Sequence, residues 1–200
     1  MNEGAVPRAL GAIAAALRAE KRAFAVVGGL AVSTRCEPRF TRDVDVAVTV
    51  VDDADAEALV RGLRARGYRP TATVENDATA RLSTVRLLSP QGVTVDLLFA
   101  SSGIEQEVVA RATEVEVPAV GTIRVARAED LLAMKVLSMR DTRLQDRMDA
   151  QRLIEFVPDL DFDIVRRNLE LITERGYHRD QDLGAKLDVL LKEAGHRHSP

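Results

Sequence analysis

The chain has 200 residues, 46% apolar and 30% charged, with Lys plus Arg 28 against Asp plus Glu 31 and a formal net charge of −3. That balance fits one core, alone or with a small appendage, and excludes disordered, collagenous and coiled-coil classes. A mildly acidic chain is also a poor general DNA coat, because such binding rests on neutralising phosphates.

Cys36 is the only cysteine, which excludes an intrachain disulfide framework and fits a reducing, cytoplasmic setting. No apolar run approaches the ~20 residues needed to span a bilayer, so no membrane partner is expected. Residues 9–17 are apolar but closely flanked by Arg8, Arg18, Glu20, Lys21 and Arg22, which reads as a short helix rather than a signal segment.

In chain order, residues 8–20 carry Leu10, Ile13 and Leu17 at helical spacing. Residues 23–27 (AFAVV) form an apolar run that Gly28-Gly29 ends, as a buried strand entering a tight turn would. Residues 30–35 fit the first turns of a helix that Pro38 ends. Residues 43–50 (DVDVAVTV) alternate strictly, with the valines on one face and Asp43, Asp45, Ala47 and Thr49 on the other. Residues 53–66 read as an amphipathic helix stopped by Gly67. Residues 80–88 and 92–99 read as two strands joined by a Ser89-Pro90-Gln91-Gly92 turn. A short helix at 105–111 and a strand pair at 113–118 and 122–126 follow. From Ala128 the period becomes helical, predicting helices over 128–140, 143–157, 162–176 and 182–194. The expected organisation is a mixed α/β part over 1–126 and a helical part over 127–200 packed on it.

Four features carry chemistry. Asp43 and Asp45 share one strand face, where like charges repel unless a cation neutralises them. Carboxylates are hard ligands suited to Mg²⁺ or Mn²⁺, though a D-x-D pair on an exposed face is equally a solvated edge. Gly28-Gly29 allows a sharp turn, and a helix starting there would favour phosphate. Asp96 interrupts the apolar run VTVDLLF, so it is either a third ligand or a solvent-facing neighbour of Thr94. Lys135 lies inside the apolar stripe of its helix, either snorkelling or aimed into a cleft where it would meet phosphates. Asp146 and Asp149 share a helix face, as first-turn acids favoured by the dipole or as a general base and its organiser.

The stretch GGLAVSTRCEPRFTRDVDVAV resembles the signature of the DNA polymerase β-like nucleotidyltransferases, and more narrowly the AbiEii-type toxins of bacterial toxin–antitoxin systems. Their R-x-T-x-D-x-D run is matched by Arg39, Thr41, Asp43 and Asp45. Their acidic D-L-L-x-x-K helix is matched by Glu129 to Lys135, and their late R-x-x-K-D-x-x-D segment by Arg143 to Asp149. One departure is Gln145, where the family often has Lys. The resemblance implies an α+β nucleotidyltransferase fold with a mixed central sheet followed by a C-terminal helical bundle. It implies a metal-dependent enzyme moving a nucleoside monophosphate from an NTP to a hydroxyl. Asp43, Asp45, Lys135 and Asp146 would be catalytic. Gly28, Gly29, Thr41 and Lys135 would hold the nucleotide, and Asp43, Asp45 and Asp96 the Mg²⁺ or Mn²⁺. It further implies a tRNA 3′ end as acceptor and a cognate antitoxin as partner, with a small antibiotic-type acceptor or a non-catalytic binding module as alternatives. The expected path for RNA phosphates is Arg35, Arg39 and Arg42, or Arg61, Arg64, Arg66 and Arg69, all equally readable as solvated faces. Cys36 reads as a packing residue, and His178, His196 and His198 fall in the helical tail.

Overall fold

A computed structural model describes residues 4–77, 79–140 and 142–195. His196 and His198 lie outside them. The described residues form a seven-stranded mixed sheet of order β3-β4-β5-β2-β1-β7-β6 with eight helices, an α+β architecture. No helix among the described residues is long and apolar enough to cross a membrane.

Helix α1 (Ala5–Ala19) buries Leu10, Ile13 and Leu17. Strand β1 (Phe24–Val27) is buried throughout, as a continuous apolar run predicts for an interior strand. It passes directly into α2 (Gly28–Arg35), two residues earlier than the sequence pattern places the helix. Glycine permits this start, since Gly28 has φ +63°. Strand β2 (Val44–Val48) lies at the centre of the sheet, antiparallel to β1 and parallel to β5. Its valines are fully buried, so register is fixed by the face they cover.

Helix α3 (Asp53–Ala65) is capped by the Asp52 carboxylate, which accepts from the Asp55 N–H at 2.8 Å. Strand β3 (Arg69–Glu75) follows it, a strand that the alternation did not predict. All seven of its residues are exposed, so no buried face imprints a period on them. It is an edge strand and tolerates Pro70 there. Strands β4 (Leu82–Leu88) and β5 (Thr94–Leu98) form the expected hairpin. Helix α4 (Glu105–Arg111) and the antiparallel pair β6 (Thr113–Val117) and β7 (Gly121–Val125) complete the sheet, with β7 parallel to β1.

Helices α5 (Ala128–Ser138), α6 (Leu144–Phe156), α7 (Phe162–Glu174) and α8 (Leu183–Glu193) follow, and α5 packs against the other three. Helix α5 also contacts α2. Its Asp130 is fully buried, where Arg111 of α4 and Asn168 of α7 both donate to it. A buried carboxylate of this kind is tolerated because it is paired and hydrogen-bonded.

Candidate active site

The sheet brings its acids together by register. Asp45 of β2 is the partner of Asp96 in the parallel β2–β5 pair, and Asp43 enters the same strand two residues earlier. The carboxylate of Asp45 accepts from the Gly29 N–H. Burial, then the neighbouring Asp96 and Asp43 charges, push its carboxyl up to about 6, while Lys135 acts in the other direction. The Gly28-Gly29 turn is shaped around this carboxylate. A Cβ on Gly28 would stand 1.9 Å from Asp45 Oδ2, and one on Gly29 would stand 2.4 Å from Arg39 Nη2. The two glycines therefore make room for an aspartate and an arginine of the chain itself.

A cleft of about 990 Å³ opens over these acids, and Gly28, Asp43, Asp45, Asp96, Lys135 and Asp146 all line it. Gly29 and Thr41 do not line it. Thr41 donates its hydroxyl to the Asp43 carbonyl at 3.3 Å and so steadies the entry to β2.

Lys135 is not a free cation, as its place in the apolar stripe suggested. Its ammonium lies 2.7 Å from Asp146 Oδ1 and 2.9 Å from Asp149 Oδ2. Asp149 is fully buried and also accepts from Arg39 Nη2 and from Gln145 Nε2, each at 2.9 Å. Burial alone would raise its carboxyl, but Lys135, Gln145 and Arg39 together hold it below the ordinary range. Gln145, at the position where Lys is frequent, thus supports Asp149 rather than adding a charge. Arg39 ties the segment before β2 to α6, a link no spacing rule exposes because 110 residues separate the partners.

The cleft's cations are not the ones expected. Arg35 is spent on the carbonyls of Ala126 and Val125 and on Thr113, and Arg39 on Asp149. Arg42 sits over the Phe40 ring, Arg61 pairs with Glu57, and Arg66 pairs with Glu20. None of these lines the cleft, nor do Arg64 and Arg69. Arg86, Arg140, Arg143 and Arg179 do, with His178 beside them. Arg140 and Arg143 flank the turn between α5 and α6, and Arg179 lies between α7 and α8. Among the described residues Arg140 and Arg179 have no carboxylate partner, and Arg143 is 3.6 Å from Asp146. Burial, then the Arg140 and Arg143 charges, lower the Arg179 guanidinium below its usual range. Like charges gathered in this way favour an anion. Arg143 opens the late run that ends at Asp149, whereas Arg86, Arg140 and Arg179 stand in no motif that could have marked them.

The donor set of the sheet face suits a hard divalent ion. Asp43 and Asp45 offer carboxylate oxygens, and the crowding at Asp45 is relieved by positive charge. Yet among the described residues no three Asp, Glu, His or Cys side chains are gathered closely enough to enclose a metal. Asp96 is engaged instead by Arg86, whose Nε and Nη2 reach its two oxygens at 2.9 and 2.7 Å.

A strand–glycine turn–helix, a D-x-D segment beside it and a third acid on the parallel neighbour line one cleft. The pattern described as nucleotidyl transferase AbiEii toxin, type IV TA system, matches residues 8–198. The chain belongs to the AbiEii nucleotidyltransferase toxin family.

Among solved structures, an antigenic nucleotidyltransferase-like protein from Paracoccidioides brasiliensis superposes with a TM-score of 0.52 at 18% identity, covering 94% of this chain and 87% of that one. The lincosamide antibiotic adenylyltransferase LnuA, bound to lincomycin, gives 0.50 at 17% identity, covering 74% of this chain and 95% of that one. At such identities the likeness establishes the fold. No curated protein sequence matches the chain. The AbiEii protein is thus a nucleotidyltransferase with an α+β core.

Proposed function

We propose that this enzyme moves a nucleoside monophosphate from an NTP to the 3′ hydroxyl of a tRNA, releasing pyrophosphate. One observation supports this reading above the others: three sheet acids and three helix-side arginines share one cleft. The acids suit a metal–triphosphate. The arginines suit an acceptor that carries phosphates and disfavour one that carries positive charge.

In this scheme Asp43 and Asp45 hold a divalent ion, with Asp96 as the third ligand. When bound, that ion supplies charge for the triphosphate and lowers the pKa of the acceptor hydroxyl. Lys135 spends two of its three donors on Asp146 and Asp149 and directs the remaining one at the triphosphate. Asp149 and Arg39 keep that ammonium in place. Asp146 takes the acceptor proton as the new O–P bond forms and the bond between the α-phosphorus and the bridging oxygen breaks. Gly28 leaves room for Asp45, and Gly29 and Thr41 hold the turn and strand entry behind it. Arg140, Arg143 and Arg179 bind the acceptor's phosphates. Positioning and electrostatics do most of the work. A cognate antitoxin is the expected protein partner, and the cytoplasm the expected compartment.

The test is purified protein with Mg²⁺, NTPs labelled at the α-phosphate, total cellular RNA and a panel of small hydroxylated compounds. Label on tRNA, mapped to the 3′ end by sequencing, is the expected result. Label only on small compounds would replace the tRNA assignment with an antibiotic-type acceptor. No label and no nucleotide binding would overturn the catalytic reading and favour a binding module.

A further inference from the structure

We propose that Arg86 is a built-in counter-cation of the acid face, which competes with the divalent ion for Asp96 and must release it when metal enters. This rests on the metal reading above and goes beyond it by assigning a residue that the family pattern does not include.

The observation is geometric. Arg86 and Asp96 are direct cross-strand partners in the β4–β5 hairpin. Two of the three guanidinium nitrogens, Nε and Nη2, donate to Asp96 Oδ1 and Oδ2 at 2.9 and 2.7 Å, a forked pairing. The Asp96 side chain is 13% exposed while Arg86 is 52% exposed. The acid is therefore the more enclosed partner, and the arginine the one that reaches in from the cleft. On its other side Asp96 is in register with Asp45. Asp96 thus stands between an arginine and an aspartate, and both of its oxygens already each accept one hydrogen bond from Arg86, so a metal ion would compete with the guanidinium for the charge and orientation of that carboxylate.

Two consequences follow. Without metal, Arg86 relieves the repulsion between Asp96 and Asp45 and keeps the sheet face folded. With metal, the ion takes over that charge, and Arg86 is released into the same cleft, where phosphate oxygens of the nucleotide are available to it. Arg86 acts through Asp96 and is a positioning residue.

The experiment is Mn²⁺ binding without nucleotide, followed by electron paramagnetic resonance, on wild type, R86A, R86K and each in a D96N background. Removing a charge-assisted pair that competes with metal is expected to tighten Mn²⁺ binding on the order of tenfold in R86A. R86K should fall between R86A and wild type, because Lys cannot make the forked contact. In D96N the Arg86 substitution should change Mn²⁺ affinity by less than about twofold. Melting temperature gives a second readout: R86A should melt below wild type in chelator and recover with Mn²⁺. If R86A does not fold, the R86K comparison carries the same test. Mn²⁺ binding by wild type with no tightening in R86A or R86K would overturn this inference alone. Equal tightening in the D96N background would overturn it as well. No Mn²⁺ binding by any folded form would overturn the metal reading and, with it, this inference.

Discussion

Asp45 lines the candidate cleft and Asp149 is fully buried behind Lys135, and their surroundings push the two carboxylates in opposite directions. Asp149 accepts from Lys135, Arg39 and Gln145, which together hold its carboxyl below the ordinary range. Asp45 is shielded from water and faces Asp96 and Asp43, and its carboxyl rises to about 6 although a backbone N–H donates to it. The first carboxylate is balanced by the protein's own cations and acts as a clamp between the segment before β2 and α6. The second is crowded with negative charge, which folding alone would not favour. Such strain concentrates where function needs it. On the proposed reading the contrast separates a structural acid from a working one, although both belong to D-x-D or D-x-x-D motifs in the sequence.

The largest effect that would sharpen this contrast is catalytic. Asp43→Asn or Asp45→Asn should reduce nucleotide incorporation by on the order of a thousandfold or more, through loss of the charge that holds the metal–triphosphate. Circular dichroism should show the fold intact. Next is Asp149→Ala, which removes the clamp and leaves Lys135 and Arg39 facing each other. That should cost about 3–5 kcal/mol in urea unfolding. A variant that lost activity while keeping wild-type stability would instead move Asp149 to the working side.

The pH dependence should differ in sign. Asp149 has its folded carboxyl below 3.8, so it contributes stability that is present above 3.8 and lost as pH falls through the folded value. Asp45 has its folded carboxyl raised from 3.8 to about 6. The folded state then binds the proton more tightly than the unfolded one, so metal-free stability falls as pH rises through that window. Asp45→Asn should remove this fall and gain about 3 kcal/mol near neutral pH in chelator. Thermal melts from pH 4 to 8 check both signs.

The smallest expected effects concern the arginines. Arg140→Ala, Arg143→Ala and Arg179→Ala should each weaken tRNA binding and lower the salt slope by about one. Arg61→Ala, a surface pair with Glu57, should leave binding unchanged and shift stability by less than about 0.5 kcal/mol. Filter binding across a salt series distinguishes the two groups.

Much of the acid face was legible because it obeys the period of a strand. Asp43 and Asp45 stand out against buried valines, and Asp96 against an apolar run. Arg86 was not legible from the turn. Counting outward from Ser89–Gly92 pairs it with Val95, whereas the observed register is one residue longer on the β5 side and pairs it with Asp96. Strand β3 left no trace, because an edge strand exposed along its whole length has no buried face to mark. The basic rim was misplaced for a related reason. Arginines are abundant along the chain, and only tertiary packing decides that Arg35 serves backbone carbonyls while Arg140 and Arg179 reach a cleft.

The central claim is that the three-acid cleft transfers a nucleoside monophosphate. The most direct measurement supplies NTP labelled either at the α- or the γ-phosphate, with Mg²⁺ and tRNA, to wild type and Asp45→Asn. The α-label should enter the tRNA 3′ end while the γ-label appears as pyrophosphate in equal amount, and both signals should vanish in Asp45→Asn. Retention of the γ-label on the acceptor, or undiminished transfer by Asp45→Asn, would contradict the account.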